Sequence, residues 1–226
     1  MNRVIGLAIS FYDGRRSPDL ARFASVGRPP AIKGIGLAIV LVALLGLASC
    51  GRSAPSFRGT ELNPPPPATD FTLTDQHGNA FRLSDQRSQV VLLFFGYTHC
   101  PDVCPTTLAR WKQVHDALGD DAERVRFVFI TVDPERDTPA RLQQHLSMFN
   151  GDFIGLTGTS EELAPVYTAY SIYHEKAEAS GSALDYLVNH SSSAFIVDPQ
   201  GRWRLSYSFG TPPDDIVHDI RELLRG

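Results

Sequence analysis

Cys100 and Cys104 are the residues of this sequence best suited to chemistry. They lie in the segment FGYTHCPDVCP, with three residues between them. If a helix begins within this segment, the spacing places both side chains on one face, one turn apart. Helix N-termini lower thiol pKa values and favour thiolates. Two thiolates are soft ligands that suit Cu(I) or Zn²⁺, and a redox-active disulfide is the alternative.

His190 is the best placed of the seven histidines to supply a third ligand. It directly precedes an apolar segment predicted to be a strand, and a loop that enters a strand beside the cysteine-bearing strand can present imidazole to both sulfurs. Spacing alone does not decide whether His190 is a metal ligand, because most histidines are not ligands. His99 adjoins Cys100, but we expect its side chain to point away from that of its neighbour. Of the others, His77 is predicted to lie in a turn and His174 at the start of an irregular polar segment. Three are predicted to be surface or partly buried residues of helices: His115, His145 and His218.

The elements around the cysteines predict an α/β domain. Residues 90–96 and 125–132 are continuous apolar segments, typical of strands buried on both faces. Helices are predicted after the cysteine segment up to Gly119 and from Thr138, Thr159 and Thr211, and a strand pair is predicted over 193–209. This order is that of the thioredoxin-like fold: a central mixed sheet flanked by helices, with an N-terminal β-hairpin formed around residues 75–79.

The N-terminal part of the chain predicts export. Residues 35–48 are fourteen consecutive apolar residues after a basic flank, too few for a typical spanning helix and typical of a signal peptide. This segment leads into Leu47-Ala48-Ser49-Cys50, which resembles a lipobox whose cysteine is lipidated. We therefore predict a lipoprotein-type signal peptide over 1–49, with lipid on Cys50. A buried helix that ends in a structural cysteine is the alternative.

The remaining sequence divides into a linker and one domain. Residues 50–68 are small, polar and rich in proline, and we expect an extended tether. Residues 69–226 have the length of a single domain. Beyond residue 49 the chain carries 15 basic and 23 acidic residues, a net charge of −8. This acidity argues against nucleic acid as a partner, because phosphates require clustered Lys and Arg.

From about residue 69 to its end, the chain resembles the SCO/SenC family of copper-binding, thioredoxin-like proteins. The matching segments are Phe94 to Pro105, Asp133-Pro134-Glu135-Arg136-Asp137-Thr138, Leu156-Thr157-Gly158 and His190-Ser191. The resemblance implies that Cys100, Cys104 and His190 bind copper. It also implies a role in building the CuA centre of cytochrome c oxidase, with the oxidase subunit that carries this centre as a partner. Other copper chaperones or thiol reductants are further expected partners.

The donor set favours Cu(I) in a near-trigonal site, whereas Cu(II) requires a further, harder donor. The family usually has Asp before the ligand histidine and this chain has Asn189, so copper affinity or redox tuning is expected to differ. Asp133 and Asp137 are candidates for supporting the site. The simpler interpretation, which we favour, is that Asp137 helps to cap the following helix and Asp133 shapes a turn.

Two functions from different classes fit this sequence. The first is a copper chaperone anchored by lipid to the membrane of a bacterial cell envelope, with its domain on the periplasmic side. The second is a thiol–disulfide reductase that keeps the oxidase's copper-binding cysteines reduced through the pair Cys100 and Cys104. A peroxiredoxin-type peroxidase and a structural zinc site are weaker alternatives, the latter because three protein ligands leave zinc with an open position.

Overall fold

The computed structural model describes residues 55–178 and 186–226. Within them, eight strands form one sheet in the order β1-β10-β9-β4-β5-β6-β2-β3, and β7 and β8 form a separate hairpin. The strands are β1 Thr60–Glu61, β2 Thr72–Asp75, β3 Ala80–Arg82, β4 Val90–Gly96, β5 Val125–Thr131, β6 Ile154–Thr157, β7 His174–Glu178, β8 Tyr186–His190, β9 Ala194–Val197 and β10 Trp203–Tyr207. The α-helices are α1 Val103–Leu118, α2 Pro139–Ser147, α3 Ser160–Ala169 and α4 Pro213–Arg225.

The centre of the sheet is formed by β4, which pairs parallel with β5 and antiparallel with β9. All seven residues of β4 are buried. The continuous apolar segment that forms it has no polar face, so it can lie only where both faces of a sheet are covered. The predicted α/β fold with a central mixed sheet and an N-terminal hairpin, β2–β3, is confirmed.

Helix starts follow the local signals in the sequence. The Thr138 side chain accepts a hydrogen bond from the Arg141 N–H, and Pro139 occupies the first turn of α2. Thr159 and Glu162 form a capping box at the start of α3. These side chains satisfy N–H groups that have no partner within the helix, which is why the predicted boundaries are close to those observed.

Three elements were not predicted: the edge strand β1, the strand β6 and the hairpin β7–β8. β1 pairs with β10, and the segment before it is held by Asp219, which accepts hydrogen bonds from the N–H groups of Arg58 and Gly59. This part of the predicted 50–68 tether is therefore packed on the domain. Residues 1–54, including the predicted signal peptide and Cys50, lie outside the described residues. In the described part of the chain, no helix is long and apolar enough to cross a membrane.

Candidate metal centre

The two cysteines lie where the central strand gives way to α1. Cys104 is the second residue of α1 and is fully buried, whereas Cys100 lies in the loop before the helix and is partly exposed. The backbone N–H of Cys104 lies 3.4 Å from Cys100 Sγ. Because the helix begins between the two cysteines, its free N–H groups point toward the first sulfur and stabilise negative charge there.

Gly96 allows this close packing at the end of β4. A Cβ atom at this position would lie 2.8 Å from Cys104 Sγ and 2.8 Å from the Phe129 ring. The glycine therefore leaves space for the buried sulfur beside the aromatic core.

His190 is the last residue of β8 and approaches the cysteines from the hairpin. Its Nε2 lies 3.5 Å from Cys104 Sγ, and its Nδ1 lies 2.8 Å from the Ser191 carbonyl oxygen. A carbonyl oxygen only accepts hydrogen bonds, so this contact requires a proton on Nδ1, and Nε2 is the ring nitrogen that faces the sulfurs. The ring also packs edge-on against Tyr97, with centroids 5.7 Å apart.

The structure brings Cys100, Cys104 and His190 together, with their ligand atoms all within 4.8 Å of one another. Among residues 55–178 and 186–226, this is the one group of at least three His, Cys, Asp or Glu side chains so arranged. His99 is not part of it, because its Nδ1 contacts Thr98 Oγ1 at 3.1 Å. The arrangement offers two sulfurs and one imidazole nitrogen, a donor set that suits a soft metal ion.

The two thiols are electrostatically different. A hydrogen bond from the Cys104 thiol lowers the pKa of Cys100 far below its usual range, and hydrogen bonds from His190 and from the backbone N–H groups of Asp102 and Cys104 act in the same direction. The same hydrogen bond, together with burial, raises the pKa of Cys104. Without metal, the pair therefore carries one thiolate, on the partly exposed Cys100, and one thiol, on the buried Cys104.

Asp137 holds the cysteine loop. Its fully buried carboxylate accepts hydrogen bonds from the Thr98 N–H at 3.0 Å, the Thr98 hydroxyl at 2.6 Å and the Thr131 hydroxyl at 2.7 Å. The expectation that Asp137 helps to cap α2 is therefore wrong, because Thr138 caps that helix with its own side chain. Asp137 instead has the supporting role that the sequence left as the less favoured alternative, and its partner Thr98 could not be identified from the sequence because the two residues are distant in the chain.

Asp133 shapes a turn, as expected, through its carbonyl oxygen, which accepts hydrogen bonds from the N–H groups of Arg136 and Asp137. Its buried carboxylate has a second function, since it accepts hydrogen bonds from Arg136 Nε and from the Tyr186 hydroxyl. Arg136 lies within a motif singled out in the sequence, but its contact with Tyr186 depends on the hairpin β7–β8, which was not predicted.

Asn189 does not support His190 through its side chain. Asn189 is exposed and lies opposite Glu175 in the hairpin. Because successive residues of a strand point to opposite faces, its side chain points away from that of His190. The Nδ1 of His190 contacts the carbonyl oxygen of Ser191. An acidic residue at position 189 would also face Glu175, and like charges directly opposite are unfavourable.

Comparison with known proteins places this site in a family. The SCO1/SenC family model matches residues 60–225. An SCO2-like protein of Rickettsia felis is 32% identical over 152 residues, which cover 67% of this chain and 74% of the relative. The structure of Bradyrhizobium japonicum ScoI with copper bound is similar at 39% identity and a TM-score of 0.64, covering 70% of this chain and 99% of that one.

A SCO1/SenC family lipoprotein from Bacillus anthracis is similar at 27% identity and a TM-score of 0.63, covering 74% of this chain and 99% of that one. The family model covers the whole sheet from β1 onward, together with the cysteine loop and His190. The chain is therefore a member of the SCO1/SenC family.

Proposed function

We propose that this protein is a copper chaperone that binds one copper ion through Cys100, Cys104 and His190. It then delivers the ion for assembly of the CuA site of cytochrome c oxidase. The observation that carries the proposal is the convergence of two sulfurs and one imidazole nitrogen within 4.8 Å. Copper in the B. japonicum relative supports the identity of the metal.

The residues present fit Cu(I). Two soft sulfur donors and one imidazole form a three-donor set, and the Ser191 carbonyl holds the ring in the tautomer that offers Nε2. Cys104 is buried and Cys100 is partly exposed, so a partner's ligand can approach from the Cys100 side. Few ligands and one open side suit a protein that passes its cargo on by ligand exchange.

An anaerobic titration of the reduced 55–226 domain with Cu(I) tests this proposal, with bound metal quantified per chain. We expect about one copper per chain for the wild type and weaker retention in the Cys100→Ser, Cys104→Ser and His190→Ala variants. His77→Ala is the matched control, because His77 is an exposed turn residue. Equal retention by His190→Ala and His77→Ala would contradict the three-ligand site.

We propose further that the domain acts at the periplasmic face of the membrane, anchored through lipid on Cys50. The apolar segment before Cys50 and the lipoprotein relative from B. anthracis support this assignment. Labelling of cells with a fatty-acid probe should mark the wild type. Cys50→Ala should not be marked, and a labelled Cys50→Ala protein would contradict the anchor.

The asymmetry of the two thiols favours a second function, reduction of a disulfide in the oxidase's copper-binding site. The Cys100 thiolate would attack one sulfur of that disulfide and release a partner thiolate. Cys104 would then lose its proton, attack Cys100 Sγ and release the second partner sulfur, which leaves a Cys100–Cys104 disulfide. An external dithiol reductant, by exchange, would return the pair to its reduced form.

His190 separates the two functions, because disulfide exchange does not require an imidazole donor. Oxidase assembly that fails with His190→Ala supports copper delivery. Assembly that tolerates His190→Ala but fails with Cys104→Ser supports the reductase.

A further inference from the structure

The turn that follows β5 contacts both segments that supply metal ligands, the cysteine loop and the strand β8. From one side of this turn, Asp137 holds the cysteine loop through Thr98. From the other side, Asp133 and Arg136 contact Tyr186, the first residue of the strand that ends in His190. One short segment, residues 133–137, thereby holds both the cysteine loop and the start of the strand that ends in His190.

Arg136 links this turn to the hairpin β7–β8 through a hydrogen bond and a stacked ring. Its Nε donates to the fully buried carboxylate of Asp133, and its Nη1 donates to the Tyr186 carbonyl at 3.0 Å. Its guanidinium also lies over the Tyr186 ring, 3.6 Å from the centroid. A planar guanidinium can stack and donate at the same time, which a lysine ammonium cannot do.

The Arg136 guanidinium is linked to His190 through two sets of contacts. It lies 5.8 Å from the centroid of the Tyr97 ring, and Tyr97 packs edge-on against the His190 ring. On its other side the guanidinium holds the start of β8, and this five-residue strand leads from Tyr186 to His190. The Arg136 guanidinium therefore lies between the ring of Tyr97, which contacts His190, and the ring of Tyr186, which begins the strand that ends in His190.

We propose that Arg136 is a positioning residue for the third metal ligand: it locks the hairpin β7–β8 onto the body of the domain and so holds His190 against Cys100 and Cys104. Loss of Arg136 leaves the two sulfurs in place, because the cysteine loop is held separately by Asp137. The centre then loses its imidazole donor and keeps its dithiol. This inference rests on the proposed three-ligand copper site.

The test compares Arg136→Gln with Arg202→Gln in the full chain. Arg202 is a matched control, because its Nε also donates to a fully buried aspartate, Asp198, in the turn between β9 and β10. Cu(I) affinity is measured by competition with a chromogenic chelator. We expect Arg136→Gln to weaken binding roughly tenfold to a hundredfold, as loss of ligand-orienting contacts does, and Arg202→Gln to leave it unchanged.

A double-mutant cycle with His190→Ala separates positioning from general damage to the fold. If Arg136 acts through His190, Arg136→Gln has no further effect on Cu(I) affinity in the His190→Ala background. If Arg136→Gln lowered Cu(I) affinity by the same factor in the wild-type and His190→Ala backgrounds, the proposal would be overturned. Equal Cu(I) affinities of Arg136→Gln and Arg202→Gln would also overturn it. A wild type that binds no copper would instead refute the proposed function.

Tyr186→Leu provides a second variant should Arg136→Gln fail to fold. It removes the stacked ring and the hydroxyl that contacts Asp133, but leaves the buried Arg136–Asp133 pair. It should weaken Cu(I) binding in the wild-type background and have no effect in the His190→Ala background. Unchanged binding by Tyr186→Leu would overturn the proposal that the contacts between Arg136 and Tyr186 position His190.

Discussion

At the scale of single residues, the centre depends on how differently two neighbouring cysteines are placed. Cys100 receives hydrogen bonds at the start of a helix, whereas Cys104 is buried among aromatic side chains. The first is therefore a thiolate at neutral pH and the second a thiol. This difference determines how binding of a metal depends on pH, because only thiolates are ligands.

Cu(I) binding is expected to release about one proton per chain at pH 7.5–8.5, rather than two. The lowered pKa of Cys100 means that its proton is already absent, and the raised pKa of Cys104 means that its proton must leave on binding. Affinity should therefore rise about tenfold per pH unit in this range. Calorimetry in buffers of different ionisation enthalpy measures the proton count, and release of two protons would contradict the assignment.

Gly96→Ala should damage the centre through packing alone. The added Cβ would lie 2.8 Å from Cys104 Sγ, and such overpacking costs about 1–3 kcal/mol. We expect lower stability in urea unfolding and weaker copper binding. Gly151→Ala is the control, because a Cβ there meets nothing within 4 Å. Equal stability of the two variants would show that the space beside the sulfur is not required.

At the scale of elements, the ligands come from two segments, the loop between β4 and α1 and the end of β8. The sequence predicts the first well, because a buried apolar strand, a cysteine motif and a helical repeat follow each other directly. It does not predict the hairpin β7–β8, whose first strand consists mostly of polar, exposed residues. The position of His190 depends on long-range contacts of this hairpin, which local patterns do not encode.

Asp137→Asn is expected to loosen the cysteine loop. The carboxylate accepts three hydrogen bonds from Thr98 and Thr131, and an amide offers one oxygen for the same donors. A buried donor left without an acceptor costs about 1–3 kcal/mol. The variant should unfold at lower urea concentration, and Cys100 should react faster with iodoacetamide. Asp152→Asn, at an exposed loop position, is the control, and identical alkylation rates in the two variants would argue against this role.

At the scale of the whole molecule, the segment that leads in from the N-terminal side is fixed to the domain at a defined point. The fully buried Asp219 of α4 accepts hydrogen bonds from the N–H groups of Arg58 and Gly59 and from the Tyr207 hydroxyl. Arg58 and Gly59 are thus held by Asp219, and the next two residues pair with β10 at the edge of the sheet. The sequence alone suggests a tether here, because short polar stretches reveal edge pairing only when the partner strand is known.

Asp219→Ala should release this segment without affecting the metal centre. Loss of the buried acceptor should lower the free energy of unfolding by about 1–3 kcal/mol and expose residues 55–62 to proteolysis. Copper stoichiometry should stay unchanged, since Asp219 contacts none of the three ligands. Limited proteolysis followed by mass spectrometry measures the effect, and an unchanged cleavage pattern would contradict it.

X-ray absorption at the copper edge of the Cu(I)-loaded domain tests the central claim most directly. We predict a first shell of two sulfurs and one nitrogen, from Cys100, Cys104 and His190, with the nitrogen lost in His190→Ala. A shell of two sulfurs alone in the wild type, or a nitrogen that persists in His190→Ala, would contradict the account.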